Sequence, residues 1–175
     1  RESWFFTVTR TTGVCTPTQR DAVRIAESQN VQVFQTEDTV VLLNEMVHSA
    51  RIVPLDGTGP LDPGIRQRMG DSRGHWDGDT LVVETTNYSP TSYFMGSGAN
   101  LYLVERFTRV SEEVLQYEVT ITDPTMWTAP WRAMIPLRRS SDAVFEYACH
   151  EGNYGLYGIL AGARELERQG RVLRR

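Results

Sequence analysis

From residue 31 onward the chain is a succession of short β-branched, aromatic and aliphatic runs separated by brief polar turns. That texture constrains the fold more than any other feature, because consecutive strands joined by short turns pair as an antiparallel meander. The runs are 31–36, 39–48, 50–55, 80–86, 101–109, 114–122, 131–138 and 143–150, and residues 4–9 add an opening strand. About eight or more such strands curl into a barrel or split into two sheets, since a long twisted sheet cannot stay open. The expected fold is mainly β. It is an antiparallel meander forming a closed or partly closed barrel of the lipocalin (calycin-like) kind. A two-sheet β-sandwich is the alternative.

One domain is expected over residues 1–175. Residues 1–30 add a strand and a short helix, with Thr16 as N-cap and Pro17 in the first turn. Residues 154–175 form a helical tail in which Leu156, Ile159, Leu160, Ala163 and Leu166 recur at helical spacing.

Alternation assigns the faces of the strands. In 114–122, Leu115, Tyr117, Val119 and Ile121 share the core face. In 101–109 the matching face is Leu101, Leu103, Glu105 and Phe107, which sets the Glu105 carboxylate in apolar company. A buried carboxylate must be paired or protonated, so Glu105 is either an ion-pair partner of an inward arginine such as Arg51 or an acid–base group. The run 39–48 is apolar on both faces, so it directs polar groups inward on either choice: Asn44 with His48, or Glu45.

Chemistry concentrates in the segment MGDSRGHWDGDTLVVETTNY, residues 69–88. Asp77-Gly78 suits a two-residue hairpin turn. Pairing across it sets His75 opposite Thr80, Arg73 opposite Val82 and Asp71 opposite Glu84. Asp71, Arg73, His75 and Glu84 then share one face, either as a linked acid–base row or as a surface charge ladder.

None of the three histidines, His48, His75 and His150, has the short spacing of a metal motif. No cofactor is expected. The alternative is one zinc or copper ion held by these imidazoles at a barrel mouth. Ser72 has no nucleophile elbow around it, and Cys149 and His150, adjacent on one strand, face opposite ways. Trp76, Trp127, Trp131 and Tyr154, with Asn44, Glu45 and His150, are the candidate ligand contacts, because flat rings with polar tips suit sugars or aromatic metabolites.

The net charge of −4 argues against nucleic-acid binding. No apolar run approaches the ~20 residues of a membrane span, so no membrane insertion is expected. The chain opens on Arg1-Glu2 without Met or a signal segment, as a processed or trimmed form would. Two cysteines, Cys15 and Cys149, are either a bridge, which requires an oxidising compartment, or two unrelated thiols.

Five segments in order resemble a family of secreted or periplasmic bacterial proteins of uncharacterised function: NEMVHSARIVPLDG, IRQRMGDSRGHWDGDTLVVETTNY, NLYLVERFTRV, YEVTITDP and YACHEGNYGL. The resemblance covers residues 31–163. It implies a cleaved leader, a periplasmic or secreted location and a Cys15–Cys149 disulfide. It carries over no catalytic residues.

Three functions follow as expectations. The first is an enzyme, a lyase, isomerase or hydrolase running acid–base chemistry on a carbohydrate-like or aromatic metabolite. His75 and His48 would move protons, Asp71 and Glu105 would tune them, and Arg51 or Arg73 would stabilise an anion. The second is a non-catalytic barrel carrying an apolar or amphipathic ligand. The third is a protein-interaction module. The expected partner is a small molecule, with a homo-oligomer left open.

Overall fold

The computed structural model describes residues 4–7, 30–45, 48–92, 94, 96–141, 144 and 154–170. Its elements are β1 (Trp4–Thr7), β2 (Asn30–Gln35), β3 (Thr39–Asn44), β4 (Ala50–Pro54), β5 (Asp71–Asp77), β6 (Thr80–Thr86), β7 (Tyr102–Arg109), β8 (Val114–Thr122), β9 (Trp131–Arg139) and α1 (Gly155–Arg168). The protein is mainly β, and the strands pair antiparallel in the order β4-β3-β2-β1-β9-β8-β7-β6-β5. Two meanders make it up, β1 to β4 and β5 to β9. They are joined where β1 pairs β9 over the two positions Phe6↔Arg139 and Thr7↔Arg138.

The sheet is not closed by hydrogen bonds: β4 and β5 end the order on opposite sides, and no pairing links them among the described residues. They nevertheless meet. Strand directions alternate along the order, so these two edges run parallel. A Cβ on Gly74 of β5 would lie 2.6 Å from Leu55 Cδ2 and 2.8 Å from Val53 Cγ1. Only glycine permits that approach.

The core is the set of inward residues the alternation requires: Val40, Leu42 and Val53 from one meander, and Leu81, Val83, Leu103, Phe107, Tyr117, Val119, Ile121 and Leu137 from the other. Fifteen buried hydrophobics form this one cluster, so the two halves share a single interior. The end opposite the β5–β6 turn is filled by the segment after β6 and the β8–β9 connection. There Phe94 stacks on Trp131 at 6.1 Å and meets Trp127 edge-on at 6.5 Å.

Several expected boundaries move. The run 39–48 stops as a strand at Asn44; His48 has φ +50 in the β3–β4 turn, which a strand does not allow. The β5–β6 hairpin pairs Asp77 with Thr80, so its central residues are Gly78-Asp79 rather than Asp77-Gly78. Gly78, at φ +59, then takes the first central position, where a II′ connection places glycine. The register shifts by two, which preserves the faces but sets Arg73 opposite Glu84 and Asp71 opposite Thr86. The expected N-terminal helix and nearly all of the strand 143–150 lie outside the described residues, as do Cys15, Cys149 and His150.

Candidate functional site

The inner faces enclose a cavity of about 500 Å³ at the end where the β2–β3, β5–β6 and β7–β8 turns gather. Its walls are Val33, Val40, Leu42, Leu81, Phe107 and Leu115. Each occupies the inward phase of its strand, which is why six apolar side chains from five strands converge. The rim is different in chemistry: Gln35, Trp76, Asp79 and Arg109 line the mouth and are exposed. Trp76 is 47 % exposed although it follows Ser72 and Gly74 in the inward phase of β5. It stands at the end of the strand, where the wall stops.

The ionisable groups inside the sheet are paired with one another, whereas Asn44 Oδ1, also buried, has no hydrogen-bond partner. Arg51 on β4 donates to both oxygens of Glu105 on β7, Nη1 to Oε2 at 2.6 Å and Nη2 to Oε1 at 2.9 Å. Tyr117 Oη donates to Glu105 Oε1 at 2.9 Å. Burial alone would lower the pKa of Arg51, but the charge and hydrogen bonds of Glu105 outweigh it and raise it above the ordinary value. Burial pushes the Tyr117 hydroxyl well up, and the Glu105 charge pushes it further. Burial also raises Tyr88, with Arg51 opposing. The expected Glu105–Arg51 ion pair is therefore present, and it ties β4 to β7 across the interior.

Asp71 and Arg73 also come together, on the outer face of β5. Arg73 Nη2 donates to Asp71 Oδ1 at 2.9 Å, and Nη1 donates to Thr58 Oγ1 at 2.9 Å. Asp71 Oδ2 accepts the Leu61 N–H at 2.8 Å. Asn87 Nδ2 donates to the carbonyls of Leu61 and Asp62. These bonds fasten the crossover, residues 55–70, which runs from the end of β4 to the start of β5. The cluster read as an acid–base row lies against this crossover.

His75 does not join it. It is exposed on the outer face, where its charge acts on Asp77, a carboxyl held below its usual range chiefly by the hydrogen bond from Arg106. His48 is exposed in the β3–β4 turn, at the other end of the sheet from the β5–β6 turn near His75. Among the described residues no group of three His, Cys, Asp or Glu is arranged to hold a metal ion.

The expected ligand contacts divide. Trp76 is on the cavity rim. Trp127 and Trp131 meet each other edge-on at 5.9 Å in the aromatic cluster at the far end. Asn44 is buried beyond Leu42, with Nδ2 3.5 Å from Ser49 Oγ. Glu45 accepts from Asn30 Nδ2 at 2.6 Å, and Tyr154 is 80 % exposed ahead of α1.

Sequence reasoning anticipates a barrel that holds a small ligand but not what lines it: Leu115 and Phe107 are assigned to the core face only, and Val33, Gln35, Asp79, Leu81 and Arg109 carry no ionisable cluster that marks them. The signal that could have found them is inward phase near the turns of neighbouring strands: Arg109 continues the Glu105–Phe107 face beyond the core.

Fold and site together define a class in coarse terms: a small antiparallel β protein with an apolar cavity open at one end. Compared with family models, with curated proteins and with solved structures, the chain matches none.

Proposed function

We propose that this protein is a partly closed barrel that binds a small, largely apolar molecule in the cavity and leaves that molecule's polar end at the mouth. The observation that carries this reading is the division of the cavity: six hydrocarbon or aromatic walls, with Gln35, Trp76, Asp79 and Arg109 confined to the rim. Its size falls within the range of small-molecule pockets, about 300–1,000 Å³. Burying apolar ligand surface there is favourable by about 25 cal/mol per Å², while the Arg51–Glu105–Tyr117 network keeps its polar atoms occupied with one another. The ligand is aromatic or alkyl in its body, and Trp76 and Phe107 give it flat surfaces to lie against.

The test is titration with a naphthalene-based apolar fluorophore, followed by its emission and by quenching of Trp76. Wild type binds with micromolar affinity. Leu42→Trp fills the cavity and weakens binding at least tenfold while the far-UV circular dichroism is kept. Trp76→Phe removes most of the quenching. Unchanged binding in Leu42→Trp would sink the proposal.

The acid–base enzyme remains the second reading. It is supported by Glu105 and Tyr117, a carboxylate and a phenol hydrogen-bonded to each other beside Phe107. On that reading Glu105→Gln and Tyr117→Phe each abolish turnover of a substrate found by screening while the far-UV circular dichroism is kept. Retained activity in both rejects it.

A periplasmic or secreted location and the Cys15–Cys149 disulfide are part of the proposal, supported by the five-motif resemblance. Intact-mass measurement before and after reduction tests the bridge: a gain of two hydrogens supports it, and free thiols in the native protein reject it.

A further inference from the structure

We propose that the molecule held in the cavity is an amphipathic amine, with an alkyl or aromatic body between the walls and an ammonium group at the mouth. The proposal rests on the cavity reading above and adds the charge of the ligand's polar end. The walls are apolar and carry no information about that charge; the mouth does.

The three turns that gather there, residues 36–38, 78–79 and 110–113, hold five carboxylates, Glu37, Asp38, Asp79, Glu112 and Glu113, and no lysine or arginine. Arginines stand on the strands just below them. Arg139 pairs Glu112 at 3.4 Å, and Arg106 pairs Asp77 at 2.8 Å. Among the described residues Glu37, Asp38, Asp79 and Glu113 have no arginine partner. Arg109 and Arg138 are the remaining arginines of the described strands at this end. Set against those four carboxylates, they leave two negative charges in excess. An excess of one sign at the opening of a low-dielectric cavity draws ions of the other sign toward it.

Asp79 and Trp76 are the groups that meet the ammonium. Both line the cavity and both belong to the β5–β6 hairpin, Asp79 in its turn and Trp76, 47 % exposed, one position before β5 ends. An indole face attracts ammonium groups through its ring quadrupole, and the carboxylate adds an ion pair. Gly78 leaves the opening clear between them, since a Cβ there would meet no atom within 4 Å. Arg109, the one guanidinium lining the cavity among the described residues, donates Nε to the Ser111 carbonyl at 3.3 Å. It is thereby directed along its own turn, and an anionic head beside it would face the acidic surplus.

Three probes with one body test this by fluorescence titration at pH 7 and low salt: 2-naphthylmethylamine, 2-naphthylmethanol and 2-naphthoate. The amine, protonated at this pH, binds about fivefold tighter than the alcohol, the scale of an exposed ion pair with a cation–π contact, and the carboxylate binds weakest. Raising the salt to 0.5 M narrows the ratio of amine to alcohol affinity. Asp79→Asn brings that ratio below twofold, and Arg109→Gln widens it. Equal binding of amine and alcohol, tightest binding of the carboxylate, or a ratio unchanged in Asp79→Asn overturns the proposal and leaves the cavity reading standing. Binding of none of the three overturns both.

Discussion

Glu105 is almost wholly buried, and its oxygens are held by Arg51 and Tyr117. The pair is worth more as a pair than either member alone, because removing one leaves the other charged in a low-dielectric interior. Arg51→Met is therefore expected to destabilise the fold by about 3–5 kcal/mol, and adding Glu105→Leu to recover most of that loss. Urea denaturation of wild type, single and double variants measures it.

The tyrosines give a pH dependence at the same scale. Burial, then the hydrogen bond to Glu84, pushes Tyr102 up to about 12, and Tyr88 and Tyr117 are also raised. A raised folded-state pKa means the unfolded chain loses the proton first. The contribution is complete below the ordinary value of about 10 and drains away as pH rises toward the folded value. Stability should fall steadily from pH 10 to pH 12. Denaturation midpoints across that window check it, and a flat profile contradicts it.

The crossover 55–70 joins edges that share no ladder bonds; backbone bonds at Gln67 tie it to Asn87 and Ser89, and the side chains of Asp71 and Arg73 on β5 and of Asn87 after β6 hold it as well. Asp71→Asn weakens both the Arg73 pair and the acceptor for the Leu61 N–H. Hydrogen bonds to charged groups are worth about 1.5–3 kcal/mol each. Faster hydrogen exchange at Leu61 and earlier proteolytic cutting within 55–70 are expected, with little change in the β7–β9 amides. If exchange at Leu61 keeps its wild-type rate, the fastening role fails.

The hairpin that follows β5 illustrates how register can be misread without moving a face. A shift of two keeps every side chain on its side, because the strand period is two. Gly78 fixes the turn one residue further along than the dipeptide Asp77-Gly78 suggests.

For the molecule as a whole, the two meanders share one interior, and a ligand in the cavity would bridge them: Val33, Val40 and Leu42 come from one and Leu81, Phe107 and Leu115 from the other. Binding only to the folded state then stabilises the joint between them. At a ligand concentration of 100 times Kd the gain is about 2.7 kcal/mol. A rise in melting temperature that scales with the logarithm of ligand concentration, lost in Leu42→Trp, is the expected result.

Alternation along the chain was enough for most of the strands and for the core faces of β7 and β8, since it is local and needs no knowledge of what lies opposite. That reasoning reached the Arg51–Glu105 pair as well, because a carboxylate on an apolar face requires a cation. It did not reach which residues line the cavity, or the role of the 69–88 segment. Only tertiary structure decided that Asp71 and Arg73 lie against the crossover and that His75 stands apart from them. It also decided that wall residues from five strands stop short of meeting at one end. The physical reason is that a strand's period fixes which way each side chain points, while the space left between facing walls depends on how far apart the whole sheet holds them.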